Sequence, residues 1–91
     1  MNKREKELFE LFKAMLTQVS KLNLVNLDVQ CNTYFNKDFS FELSVFNRNG
    51  KGNTFYSFYT FWDQKYCIDR GNKVIDCLKK DNYSMFEDLV L

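Results

Sequence analysis

Between Leu27 and Trp62 the hydrophobic pattern repeats every two residues, in three consecutive runs joined by two short turn clusters. A strand sends successive side chains to opposite faces, so each run reads as a half-buried β-strand. In the first, residues 27–35, Leu27, Val29, Cys31, Thr33 and Phe35 alternate with Asp28, Gln30, Asn32 and Tyr34. In the second, residues 39–46, Phe39, Phe41, Leu43 and Val45 alternate with Ser40, Glu42, Ser44 and Phe46. The third spans residues 54–62 and is rich in strand formers on both faces. Asn36-Lys37-Asp38 and the two-glycine stretch from Asn47 to Asn53 join the runs. Such short links make hairpins, because a parallel neighbour needs a crossover of a dozen residues or more. The three runs therefore predict an antiparallel meander.

The facing of the third run rests on its composition. One side carries Phe55, Ser57, Tyr59 and Phe61; the other carries Thr54, Tyr56, Phe58, Thr60 and Trp62. The first set is assigned to the core, because the two threonines of the second match the hydroxyl-rich outer sides of the other strands. A register shift of one residue inverts this assignment.

Residues 2–22 precede the meander with a helical period. Leu8, Phe12, Met15, Val19 and Leu22 recur at steps of four and three, and Phe9, Leu11 and Leu16 widen the stripe. Asn2 with Glu5 is a capping-box pattern, and Asn23 suits a left-handed stop. The stripe is too wide and too short for a coiled-coil seam, so the helix is expected to cover a sheet. Past Trp62 the pattern weakens. Tyr66 to Asp69 reads as a short fourth strand or a loop, Arg70-Gly71-Asn72 as punctuation, and Lys73 to Lys80 as a helix carrying Val74, Ile75 and Leu78. Ser84 with Glu87 is a second capping-box pattern and opens a last short helix with Phe86, Leu89 and Val90. The expectation is one small α+β domain over residues 1–91: an N-terminal helix on a three- or four-stranded antiparallel meander, then one or two short helices.

Composition narrows the function. Of the 91 residues 45% are hydrophobic and 18% aromatic, which excludes a disordered chain. Net charge is +1, without the basic excess of a typical phosphate binder. There is no histidine, so the commonest general base and zinc ligand are missing. Cys31, Cys67 and Cys77 are odd in number and form no CxxC pair, which points to buried, reduced thiols, with Cys67 the one most exposed to solvent if any is. No apolar run is long enough for a membrane span or a signal-peptide core, and a cytoplasmic protein is expected. The absence of proline and the wealth of Asn, Lys, Phe and Tyr match AT-rich codons, as in bacterial or phage genomes.

No catalytic constellation emerges. Asp28, Asp38, Glu42, Asp63, Asp69 and Asp76 fall in no motif, and acids at strand ends and helix starts are commonly solvated or capping. Asn49-Gly50-Lys51-Gly52 lacks the Gly-Lys-Ser/Thr ending of a phosphate loop and lies between two strands. No enzyme activity, cofactor or metal is expected. The order helix, three strands, helix is similar to that of the double-stranded-RNA-binding domain. That family's basic cluster at the start of its second helix is absent here, because Asp69, Arg70, Lys73 and Asp76 mix signs. Sheet aromatics can also stack single-stranded bases, which keeps a nucleic-acid-binding module as the alternative.

The leading expectation is a protein-binding module. Its contact residues are expected on the outer sheet face: Tyr34, Phe46, Tyr56, Phe58 and Trp62, beside Gln30, Asn32 and Arg48. Aromatics set among small polar groups are typical of interface centres. In size, lack of proline, Asn/Phe/Tyr content and element order the chain resembles inhibitors encoded by phages and mobile elements, such as immunity and anti-CRISPR proteins. The resemblance implies a small cytosolic inhibitor of a larger protein. The chain itself is expected to be a monomer or a homodimer.

Overall fold

The first helix, α1 (Lys3–Ser20), opens on the expected capping box: the Asn2 side chain accepts from the Glu5 N–H at 2.8 Å, and Glu5 accepts in return from the Asn2 N–H at 3.1 Å. The other Glu5 oxygen accepts from the Phe39 N–H at 3.1 Å, which ties the helix start to the sheet. These backbone donors hold the Glu5 carboxyl below its ordinary range. Leu8 and Met15 of α1 are buried, and Phe9, Leu11, Phe12, Val19 and Leu22 pack half-buried against the core. Leu16 is exposed and lies outside the stripe. The helix stops at Ser20, with the Lys21 N–H donating to the Gln18 carbonyl and the Leu22 N–H to the Val19 carbonyl. Asn23 does not supply the left-handed stop; the only non-glycine residue with positive φ is Asp81.

The computed structural model describes residues 1–91. Three strands follow α1 in one antiparallel sheet of order β1-β2-β3: β1 (Leu27–Phe35), β2 (Phe39–Asn47) and β3 (Asn53–Tyr59). The chain is therefore α+β as expected, with a three-stranded sheet. β3 ends three residues before Trp62, because the chain turns there: the Trp62 N–H donates to the Tyr59 carbonyl at 3.3 Å.

The facing of β3 is the reverse of the composition-based assignment. Tyr56 and Phe58 are core residues, whereas Phe55 is 61% and Phe61 77% exposed. Register explains the inversion. β1 and β2 close on Phe35–Phe39, with an odd number of residues between them, so odd-numbered residues oppose odd-numbered ones. β2 and β3 close on Phe46–Asn53, with an even number between them, so each odd residue of β2 opposes an even residue of β3. Opposed residues share a face. Phe41 thus brings Phe58 inward, and their rings stack at 4.5 Å and 9°. Leu43 brings Tyr56 inward, where Phe86 meets it at 6.1 Å. Phe12 of α1 packs on Phe41 at 5.2 Å, so the first helix and the second strand share the core.

The second correction is α2 (Gln64–Leu78), one continuous helix where the sequence suggests a strand or loop followed by a shorter helix. Its buried residues are Cys67, Gly71, Val74, Ile75, Cys77 and Leu78. Gly71 is not punctuation but a contact point: a Cβ there would lie 2.9 Å from the Met15 sulfur of α1. The short α3 (Ser84–Glu87) lies where expected, but without the capping box; Ser84 instead donates from both its N–H and its hydroxyl to Asn82 Oδ1.

Two latches join the elements. Arg4 donates to the Trp62 carbonyl at 2.8 and 3.1 Å and to Gln64 Oε1, and Gln64 donates to the Glu7 carbonyl. The Asp81 carboxylate, at a left-handed φ of 50°, accepts from the Val25 and Asn26 N–H groups at 3.0 Å each, which keeps it below the usual carboxylate range.

Candidate protein-binding surface

The buried hydrophobic residues of β2 and β3 lie on the same side of the sheet as those of α1, α2 and α3, in one cluster; Ser44, between Gln30 and Phe55, is the one buried strand residue on the other side. The opposite side carries four rows set by the register: Asp28, Phe46 and Asn53; Gln30, Ser44 and Phe55; Asn32, Glu42 and Ser57; Tyr34, Ser40 and Tyr59. Aromatics stand at both ends of this grid, and hydroxyls and amides fill the middle. Glu42 sits centrally and accepts from the Tyr34 hydroxyl at 3.5 Å and from the Ser44 hydroxyl at 3.4 Å. No strand carries a lysine or arginine, so the only charges that the strands themselves place on this face are Asp28 and Glu42.

The structure divides the expected contact residues into three groups. Gln30, Asn32, Tyr34 and Phe46 do lie together on the outer face, Gln30 and Tyr34 exposed and the other two half-buried. Tyr56 and Phe58 do not: both are in the core, for the register reason given above. Burial pushes the Tyr56 hydroxyl above its ordinary pKa.

Trp62 and Arg48 form the third group, displaced by their local bonds. Trp62 is half-buried in the turn after β3, edge-on to Tyr59 at 5.0 Å and to Tyr66 at 5.2 Å. The Arg70 guanidinium lies 5.2 Å from its ring. Arg48 is engaged within the chain: it donates to Asp28 Oδ1 at 2.6 and 3.0 Å and to the Val25 and Leu27 carbonyls at 3.1 Å each. It neutralises Asp28 and leaves Glu42 as the one carboxylate of the grid without a cation.

The residues that composition misplaced are Phe55, Tyr59 and Phe61. Phe55 belongs to the outer grid, and Tyr59 stacks on Phe61 at 4.9 Å beyond its end. The signal that finds them is the parity of the Phe46–Asn53 connection rather than the side-chain types.

Other features offer less. A cleft of about 570 Å³ lies between the 47–53 loop and the chain after α2, lined by Lys51 and Lys80 but also by Asp81 and Glu87. Cys67 and Cys77 are buried, and Cys31, rather than Cys67, is the partly accessible thiol. Burial raises all three above the ordinary thiol pKa, which disfavours the nucleophilic thiolate. No group of three or more Cys, Asp or Glu side chains is placed to hold a metal ion. No helix is long and apolar enough to cross a membrane. Comparisons with protein-family models, curated proteins and solved structures return no match.

Proposed function

We propose that this chain is a non-enzymatic protein-binding module that docks through its outer sheet face, in the manner of a small inhibitor that blocks a larger protein. One observation carries the reading. All three helices cover one side of the sheet, and the other side presents Tyr34, Phe46, Phe55 and Tyr59 around a central, cation-free Glu42. An uncovered face with large aromatics and a polar middle has the composition of an interface centre. Glu42 selects for a partner that offers a Lys or Arg, since a buried carboxylate needs a charge-assisted partner.

A nucleic-acid partner is less favoured. Phosphate contacts need lysines or arginines, and the strands have none.

The test compares capture by the wild-type chain with capture by Phe55→Ser and Glu42→Lys. Truncating an aromatic anchor costs about 2 kcal/mol or more of binding, roughly a thirtyfold weaker Kd. Both variants are expected to lose the same captured protein by at least about tenfold, with unchanged thermal stability. Capture that survives both substitutions, or that disappears on nuclease treatment, overturns the reading.

A further inference from the structure

The two edges of the sheet are built differently. The Asn47 N–H donates to the Gly52 carbonyl, so odd residues of β2 point their backbone groups at β3. The Arg48 N–H donates to the Asn26 carbonyl, so even residues of β1 point theirs at β2. The backbone groups of odd residues in β1, and of odd residues in β3, therefore point away from the sheet. On β3 these groups are covered. Arg70 donates to the Ser57 carbonyl at 3.1 Å, and the Tyr59 carbonyl accepts from the Trp62 N–H and the Cys67 thiol. On β1 only Leu27 is covered: Arg48 donates to its carbonyl, and its N–H faces the Asp81 carboxylate. Val29, Cys31, Thr33 and Phe35 present a row of outward donors and acceptors.

Nothing blunts that row. β1 runs nine residues in unbroken register, with no proline, lysine or bulge, the usual guards of an edge. Its inner side is also incompletely roofed. Val29 and Cys31 are half-buried, and Thr33 and Phe35 are exposed, whereas Phe39, Phe41, Leu43 and Val45 on the adjacent β2 are all buried.

We infer that the β1 edge pairs antiparallel with β1 of a second copy of this chain, about a two-fold axis at Cys31, to make a continuous six-stranded sheet. The strand is complementary to itself in this register. Leu27 faces the other copy's Phe35, Val29 faces Thr33, Gln30 faces Asn32, and Asp28 faces Tyr34. The one charged residue of the strand thus avoids its own mate, and two amide pairs meet on the outer face. The exposed ends of the strand also match. Phe35 is 64% exposed at one end, and Val25, just before the other, is 66% exposed. The two-fold axis brings each beside the other copy's counterpart. Because the axis is perpendicular to the sheet, both outer faces lie on the same side, and the pairing is independent of the partner-binding reading above.

Sedimentation of the purified 91-residue chain across a concentration series tests the inference, and dimer is expected. Thr33→Pro removes an outward N–H while sparing the bonds to β2, a position where an edge strand tolerates proline. It is expected to weaken the dimer at least about tenfold while the monomer keeps its fold by circular dichroism. Should Thr33→Pro fail to fold, the double variant Gln30→Lys/Asn32→Lys replaces it. That variant sets like charges opposite each other twice and is expected to be monomeric.

Register is read by disulfide trapping in a Cys31→Ser background. An equimolar mixture of Gln30→Cys and Asn32→Cys chains is expected to form a covalent dimer under mild oxidation, because opposed residues that do not exchange hydrogen bonds lie about 4.5 Å apart at Cα. Neither variant alone is expected to do so. A chain that stays monomeric at the highest concentration, a dimer indifferent to both edge variants, or a covalent dimer from either cysteine variant alone overturns the inference. Phe55→Ser leaves the dimer intact, so failure of the outer-face reading and failure of this one are separable.

Discussion

Phe58 and Phe55 stand three residues apart on β3, yet the first is fully buried and the second is 61% exposed. The inner side of that strand packs Phe58 against Phe41 and Tyr56 against Phe86. The outer side carries Phe55, Ser57 and Tyr59 with no helix over them. Apolar content alone therefore does not decide which side of this sheet is the core. The helices settle on the side where β2 contributes Phe39, Phe41, Leu43 and Val45, and β3 follows by register.

The largest expected effect separates the two sides directly. Phe41→Ala or Phe58→Ala removes half of a buried stack and is expected to cost about 3–5 kcal/mol, a large share of the total stability of a domain this small. Chemical denaturation measures it. Comparable losses from Phe55→Ala would break the distinction between inner and outer faces.

A smaller effect probes the helix layer above the inner face. Gly71→Val places side-chain atoms where Met15 already sits, and overpacking of this kind costs about 1–3 kcal/mol. Combining it with Met15→Ala is expected to cost less than the sum of the two single changes, because the truncated side chain vacates the contested space. Strict additivity in the double-mutant cycle would show that the two helices do not meet there.

Acid sharpens the same comparison from the inner side. The backbone donors on Glu5 lower its folded-state pKa, so its contribution is present above the ordinary glutamate range and is lost as pH falls through the lowered value. Wild-type protein is expected to melt higher than Glu5→Gln at neutral pH, and the two curves are expected to converge in acid. A gap that persists unchanged to pH about 2, below the ordinary carboxylate range, would mean that the stabilisation does not come from the ionised carboxylate accepting from the Asn2 and Phe39 N–H groups.

The smallest expected effect belongs to the outer face. Phe55→Ser and Tyr34→Ala are expected to shift unfolding free energy by no more than about 0.5 kcal/mol, as for surface positions in general. A loss of several kcal/mol would show that this side is covered after all, for example by tight self-association detectable as a concentration-dependent melting temperature.

Elements whose local signals agree are legible without the fold. The Asn2–Glu5 capping box and the stripe through Leu8 and Met15 specify α1, and alternation with short turns specifies β1 and β2 with their facing. These are short-range properties: a cap reaches three residues and a strand alternates every two. Of the contact residues read from sequence, Gln30, Asn32, Tyr34 and Phe46 stand on the outer face for that reason. The facing of β3 and the continuity of α2 depend instead on long-range packing. Both sides of β3 are apolar enough to be core, so the choice fell to register with β2, through a connection whose parity composition does not express. Gly71 weakens a helix in isolation, and α2 runs through it because the missing side chain lets α2 approach Met15 of α1, a contact between residues far apart in the chain.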